Sequence, residues 1–414
     1  MGNREQTRGT QARARANGDL VCFSNLRWGF AYQRPQHLMA RFARDRRVFF
    51  VEEPILETSG GAHVRTERVE SGLHVCTPHL PRGLHAVAAV AAQRALFDAL
   101  LREHAVRPEI LWLDHPAALE IAGHLDARVV YDCVHDLEAL GPPRLRELEA
   151  RLLARAHVVF TASQSLYEAK VRHHSNVHAF PSAIDARHFA RARQAHVEPD
   201  DQFPIPRPRA GFFGVIDEAV DLELLARLAD ERPRLQLVLL GPVKGIDPTS
   251  LPQRRNLHWL GPKRYAELPA YLAGWDVALL PLARSDVARA LGPTRTLELL
   301  AAGLPIAATP VRDAVSPYDD LGLVRVAHVQ PADALPHEDR ASDERASDAR
   351  ALARAVDAAR TCDRDAHRAN AEAIVARTSW DLTWDAMNEL VTSRRHAAQW
   401  SPSAAASPSA PRST

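Results

Sequence analysis

GPTRTLELLAAGLPIAATP, residues 292–310, holds a helix start, a helix stop and a strand in one short run. Gly292-Pro293-Thr294 reads as the entrance to a helix, since proline in the first turn gives up only an N–H that would be unpaired there. Gly303 reads as the stop, where glycine takes the left-handed cap. Leu304–Thr309 then reads as a strand ended by Pro310, and Leu297, Leu300 and Ala301 supply one apolar stripe. Arg295 and Glu298 stand in the opening turns of this helix. The free N–H groups there carry partial positive charge and suit an anion. Thr294 and Glu298, four apart, share a face. The residues therefore fit a diphosphate on the helix N-terminus with Glu298 accepting ribose hydroxyls; an ordinary cap with solvated charges is the competing reading.

The same strand–helix alternation runs along the chain. In the first half, strand-like runs at Leu20–Ser24, Val48–Glu52, Leu73–Thr77, Ile110–Leu113, Arg128–Tyr131, Val158–Thr161 and Val177–Phe180 are separated by helical patterns. A second series follows at Ala210–Phe213, Gln236–Leu240, Asn256–Trp259, Asp276–Leu280, Pro305–Ala308 and Leu323–Val326. Alternation of this kind implies α/β units with parallel sheets. Between the series, HVEPDDQFPIPRPR (196–209) is proline-rich and aperiodic and reads as a linker. The expected layout is a disordered basic arm (1–18), a first Rossmann-like domain (19–195), the linker, a second Rossmann-like domain (210–378), a C-terminal helix (379–400) and a disordered tail (401–414). A long helix is expected near Ala351–Ala376, after a charged, solvated loop over 331–350. Two doubly wound domains place a central cleft where strand C-terminal ends face each other.

Composition narrows the function. The 414 residues suffice for two full cores, and 46% apolar with 25% charged residues is ordinary for a soluble protein. A formal charge of +1 gives nucleic acid no electrostatic support as a partner. Cys22, Cys76, Cys133 and Cys362 are widely spaced, which argues against a disulfide scaffold or zinc site and for a cytoplasmic protein. No secretory signal or membrane-spanning run is visible. Four arginines in the first 18 residues leave peripheral contact with the inner membrane face open as a weak anchor. GxGxxG, GxxxxGK, HExxH and GxSxG motifs are absent.

The 292–310 string resembles the donor-site segment of family 4 glycosyltransferases, which have the two-domain GT-B fold. The resemblance extends through NLRWGFAYQRPQHL (25–38), YDCVHDLEAL (131–140), VVFTASQSLYEAK (158–170), GFFGVIDEAVDLELL (211–225), LVLLGPVKGIDP (237–248) and YAELPAYLAGWDVALLP (265–281). In order and spacing these are similar to a bacterial teichuronic-acid-type subgroup, over roughly residues 20–330. The resemblance implies transfer of a sugar from a nucleotide-diphosphate donor to a cell-surface glycan or lipid-linked acceptor, with retention, without a metal and without a cofactor. It departs from the family at Ala290, where relatives often carry a glutamate eight residues before Glu298; Asp286 or the backbone near Leu291 would have to compensate. An epimerase of the same fold, or a non-catalytic protein that binds sugar nucleotides, are the alternatives.

Without a metal, a leaving diphosphate must be stabilised by helix dipoles, backbone N–H groups and basic side chains. The expected donor residues are Gly214, which lets backbone approach phosphates, Asp217, which orients its loop or contacts the sugar, and Lys244, Lys263, Thr294, Arg295 and Glu298. Lys244 and Lys263 suit phosphate as compact cations. On the acceptor side, Asn25, Trp28, Tyr32, Gln33, Arg34 and His37 follow the first strand, offering an aromatic face, amides and a guanidinium. Asp132, His135 and Asp136 follow the Tyr131 strand. His135 with Asp136 could move a proton, although Asp136 also reads as a helix cap. Asp114-His115 is a further strand-end pair, the histidine reading as structural.

Overall fold

The computed structural model describes residues 18–29, 33–57, 60–194, 197–285, 288, 292, 294–329 and 340–393. The expected basic arm before Gly18, the tail from 394, Tyr32, Asp286, Ala290 and Leu291 lie outside these residues.

The first sheet contains β1 (Asp19–Phe23), β2 (Val48–Val51), β3 (Ile55–Glu57), β4 (His63–Glu70), β5 (Leu73–Pro81), β6 (Pro108–Leu113), β7 (Arg128–Cys133), β8 (Val158–Thr161) and β9 (Val177–Ala179). Its order is β3-β5-β2-β1-β6-β7-β8-β9, parallel except where β4 runs antiparallel against β5. Helices α1 (Arg34–Phe42), α2 (Ala86–Glu103), α3 (Ala118–Ala122), α4 (Leu137–Leu140), α5 (Pro143–Arg155) and α6 (Gln164–Lys170) connect the strands. After α7 (Ala186–Ala190) comes the second sheet: β10 (Arg209–Phe213), β11 (Gln236–Leu240), β12 (Leu257–Gly261), β13 (Val277–Leu280), β14 (Ile306–Ala308) and β15 (Val324–Val326). Its order is β12-β11-β10-β13-β14-β15, parallel throughout. Helices α8 (Leu222–Glu231), α9 (Leu268–Ala273), α10 (Thr294–Ala301), α11 (Arg312–Val315), α12 (Arg340–Arg360), α13 (Arg364–Val375) and α14 (Trp380–Thr392) complete the chain.

Both sheets are doubly wound. Strand order reverses between β1 and β6 in one and between β10 and β13 in the other, which opens a crevice at each strand C-terminal edge. Central strands such as VFFV (48–51) and VALL (277–280) are apolar on both faces because helices cover both faces. Strand β4, HVRTERVE, went unread: at the sheet edge its side chains are exposed or half-buried, so no apolar run marks it.

Three boundaries differ from the sequence expectation. Residues 197–209 do not form a free linker. Gln202 is fully buried, accepting from Trp275 Nε1 at 2.9 Å and donating to the Tyr271 carbonyl at 3.0 Å. Ile205 joins Ile184, Phe189 and Ala192 in a core of the second sheet, so the second unit begins upstream of residue 195. Proline and aperiodicity report irregular backbone, not whether it is packed. The expected Ala351–Ala376 helix is two helices, the first beginning at Arg340 inside what was expected to be a loop to 350, parted where Asp363 accepts the Asp365 and Ala366 N–H groups. The C-terminal helix returns to the first domain, where Trp380, Met387 and Val391 pack with Leu38, Met39 and Phe42.

Candidate functional site

The two sheets meet through their C-terminal edges. The Asp313 carboxylate, on α11, accepts the Ser165 N–H at 3.3 Å, and Arg312 pairs with Glu168 at 2.7 Å. A Cβ on Gly292 would stand 3.1 Å from the Ala162 carbonyl oxygen. The stretch around residue 292 therefore faces the loop after β8.

On the second-domain side, Gly214 ends β10 and Gly241 ends β11. The Gly214 N–H donates to the Leu240 carbonyl, and the Gly241 N–H to the Gly261 carbonyl, both at 2.9 Å. A Cβ on Gly241 would lie 1.6 Å from Gly214 O, and its φ of +150° independently excludes most side chains. Gly241 was missed as a site residue, because Leu-Gly-Pro also stands at 140–142, 260–262 and 291–293 and does not single it out. Asp217 accepts the Ala219 N–H at 3.0 Å and thereby orients the loop after Gly214.

Helix α10 begins at Thr294 and buries Thr296, Leu297, Leu299, Leu300 and Ala301. The Arg295 guanidinium lies 3.9 Å from the centre of the Phe213 ring, and its Nη2 would be 3.6 Å from a Cβ on Gly214. Arg295 Nη1 donates to Glu298 Oε2 at 2.5 Å. Desolvation pushes the Glu298 pKa up, against the pull of Arg295. Beside them stands a wall that the sequence did not announce. Tyr265 stacks on His188 at 4.0 Å and 13°, while His188 Nε2 lies 2.9 Å from the Tyr265 carbonyl. Burial, then the charges of Asp185 and Glu298, raise the Tyr265 pKa, against the pull of Arg295. Lys244 is exposed on the loop after β11. Lys263 is not in this group: its ammonium pairs with Asp201 at 2.6 Å and lies over Tyr271. It braces the 197–205 segment, so the expected phosphate role for it is withdrawn.

On the first-domain side, most expected acceptor residues have other work. Arg34, 5% exposed, donates through Nε and Nη2 to Asp132, 1% exposed, at 2.7–3.1 Å, and through Nη1 to the Phe180 carbonyl at 2.6 Å. That buried pair ties α1 to β7 and the end of β9, leaving neither group for an acceptor. His37 stacks on Trp380 at 4.4 Å, and burial followed by Arg41 lowers its pKa to about 4. It holds the returning C-terminal helix. The Gln33 N–H donates to Gln36 Oε1 at the start of α1. Asp136 caps α4 by accepting the Ala139 N–H at 3.2 Å, so the proton-transfer role expected of it gives way to the cap reading.

What remains at the crevice is Asn25, exposed after β1, Trp28, His135 and Asp114. Trp28 donates its backbone N–H to Glu52 and packs edge-on against Phe50, half-buried. His135 is exposed overall, while desolvation of its ring draws its pKa down toward the neutral form. Asp114 ends β6, and its Oδ1 is buried with no hydrogen-bond partner among the described residues. Burial pushes its pKa up to about 7, against hydrogen bonds from Ser24 and Asn25 and with Asp132 adding to the rise. Among the described residues no three His, Cys, Asp or Glu side chains converge in a metal-binding arrangement. No described helix is long and apolar enough to cross a membrane.

Comparison with solved structures finds the same two-unit arrangement. An Escherichia coli structure described as trehalose-6-phosphate bound with UDP-2-fluoro glucose superposes with a TM-score of 0.65, covering 91% of this chain and 99% of that one at 13% identity. A Burkholderia xenovorans α,α-trehalose-phosphate synthase in complex with glucose-6-phosphate gives 0.62, covering 91% and 100% at 11% identity. Sucrose-phosphate synthase of Thermosynechococcus elongatus gives 0.59, covering 90% and 98% at 15% identity. The fold is GT-B. At these identities the likeness shows the fold alone. In sequence, the chain is 25% identical over 174 residues to TuaH of Bacillus subtilis, named as a teichuronic acid biosynthesis glycosyltransferase. That match spans 40% of this chain and 43% of the relative, less than half its length. No protein-family model matches the chain. The facing C-terminal edges form the cleft between the two domains of this fold.

Proposed function

We propose that this chain is a glycosyltransferase that moves a sugar from a nucleotide-diphosphate donor to a hydroxyl of a cell-surface glycan or lipid-linked acceptor. One observation carries the reading: the start of α10, with Arg295 and Glu298, adjoins the glycine strand end at Gly214 on the edge facing the other domain. Arg295 and the α10 N–H groups offer positive charge to the diphosphate, Gly214 and Gly241 let backbone come close, and Glu298 accepts ribose hydroxyls. Thr294 and Lys244 remain assigned to the diphosphate.

In the reaction the bond between the sugar C1 and the β-phosphate oxygen breaks, and a bond forms from C1 to the acceptor oxygen. The acceptor proton leaves with the nucleotide diphosphate. Fixed cations and dipoles aimed at the departing oxygen supply the stabilisation a metal would otherwise give. Retention through front-face transfer follows from the family resemblance. Asp114, with its unpartnered oxygen, and the neutral His135 are the groups we assign to the acceptor hydroxyl. The acceptor class is supported by the relative's name, and a cytoplasmic site of action by the free cysteines.

The test is calorimetric titration with a panel of sugar nucleotides, UDP-glucose first, with and without EDTA. Saturable binding that Glu298→Ala weakens about tenfold or more, EDTA leaving it intact, supports the reading. Equal affinity in wild type and Glu298→Ala overturns the donor-site assignment.

A further inference from the structure

The edge of the first sheet opposite the cleft also holds a charged cavity, of about 680 Å³. It opens at the starts of four neighbouring strands, β1, β6, β7 and β8. Its walls carry Arg107, Arg128, Arg155 and His157 together with the carboxylates of Glu109 and Asp126. Nothing in the proposed transfer reaction uses these residues.

The guanidiniums are poorly satisfied by the protein. Arg128 gives one N–H to the Val391 carbonyl and Arg155 one to the Leu125 carbonyl at 2.6 Å. The Arg107 side chain has no partner among the described residues. Behind the wall, the Arg46 side chain is 3% exposed, and its Nε and Nη1 make no hydrogen bond. Its nearest carboxylate oxygen belongs to Glu109, at 3.6 Å, and that oxygen already accepts the Gly18 N–H at 2.8 Å. Asp45 also acts on Arg46 but lies exposed, and Asp19 is committed to Arg47 at 2.6 Å and to the Arg107 N–H at 2.7 Å. A buried cation without hydrogen-bond partners is costly, and an anion in the cavity would offset that cost.

We infer that this cavity is a second ligand site, for a soluble sugar phosphate, in which the arginines hold the phosphate and Glu109 with Asp126 accept sugar hydroxyls. Planar guanidinium forks match phosphate oxygens in pairs. Carboxylates beside them discourage a simple polyanion and suit a ligand carrying both charge and hydroxyls. The volume fits a ligand of that size, since small-molecule sites span about 300–1,000 Å³. The site lies across the sheet from the cleft, so its occupant can bind together with the donor.

The test titrates the full chain with glucose 6-phosphate, inorganic phosphate and glucose, each with and without saturating UDP, by calorimetry. Glucose 6-phosphate is expected to bind in the presence of UDP, inorganic phosphate more weakly, and glucose least. Arg107→Ala, at an exposed and unpartnered position, is expected to weaken glucose 6-phosphate about tenfold while leaving UDP affinity unchanged. Asp126→Asn is expected to narrow the gap between glucose 6-phosphate and inorganic phosphate. Absence of millimolar binding overturns the inference, as does binding that UDP abolishes, which places the ligand in the cleft. Equal affinity in Arg107→Ala and wild type also overturns it. Binding to vesicles of anionic phospholipid but not to glucose 6-phosphate would assign the cavity to a membrane instead.

Discussion

The two walls of the cleft were read from similar-looking motifs and turned out differently. In the second domain, Gly214, Arg295 and Glu298 stand together at a strand end and the start of α10, with Asp217 orienting the loop after Gly214. In the first, Arg34, Asp132 and His37 sit just as close to strand ends, yet their polar atoms face inward, onto each other or onto the returning C-terminal helix. The difference lies in what surrounds each residue. Helix α10 seats its Thr296 hydroxyl on the Ala314 carbonyl of α11, while Thr294 and Arg295 in the same turn stay half-buried. Helix α1 is clamped between its own sheet and α14, and a charged side chain there must find a partner inside the protein.

The sharpest way to break this contrast is to cut the first-domain pair. Arg34→Ala leaves Asp132 buried without its cation, and loss of one partner of a buried ion pair costs about 3–5 kcal/mol. The variant should unfold at markedly lower denaturant concentration. A variant that keeps wild-type stability but loses acceptor turnover would return Arg34 to the acceptor site.

Asp114 sharpens the same comparison by pH. Its folded pKa of about 7 lies above the roughly 3.9 of a free aspartate, so between those values the folded chain binds the extra proton. Its contribution to stability is therefore full at low pH and lost as pH rises toward and past 7. Asp114→Asn removes that loss, with an upper bound of about 4 kcal/mol at pH 8 from a three-unit shift. Melting curves of the two proteins should coincide below about pH 4, draw apart between pH 4 and 7 and stay apart above it, the variant being the more stable. Parallel curves at all pH values would show that the carboxyl is not held proton-bound in the fold.

The alternating apolar runs made both doubly wound sheets legible, because strands buried on both faces must be continuously apolar. The donor helix was legible for a related reason: its proline start, glycine stop and charged first turn are local chemistry. Partnership was not local. Arg34 and Asp132 are 98 positions apart, and Lys263 and Asp201 are 62 apart, so nothing in either neighbourhood said that each charge was already spoken for. Tyr265 was hidden in the same way, since its ring stacks on His188, 77 positions earlier. Gly241 was hidden because its Leu-Gly-Pro setting recurs at 140–142, 260–262 and 291–293, while the close approach to Gly214 that requires it comes from the fold.

On the donor side, Glu298 should separate binding from folding. Glu298→Gln keeps the shape and loses the charge that burial already disfavours, so its melting temperature should hold or rise. Donor affinity should fall by about 1.5–3 kcal/mol, the worth of hydrogen bonds to a charged group. A fall in both, measured by calorimetry beside thermal melting, would make Glu298 a framework residue like Arg34 and erase the contrast between the walls.

Lys263 gives the smallest effect and the most pointed control, since it lies in the second domain, with Arg295 and Glu298, but belongs by its contacts to the framework class. Its ammonium is paired with Asp201, which also accepts from the Tyr271 hydroxyl at 2.7 Å, and that pairing raises its pKa against the pull of burial. Removing it leaves Asp201, which is 41% exposed, in contact with water and with Tyr271. An exposed pair of this kind contributes about 1 kcal/mol or less. Lys263→Ala should therefore lower stability slightly and leave sugar-nucleotide affinity unchanged, whereas a phosphate ligand would lose at least tenfold in affinity. A tenfold loss of donor binding in Lys263→Ala with unchanged melting would move the lysine back to the diphosphate and make the 197–205 segment part of a donor-dependent rearrangement.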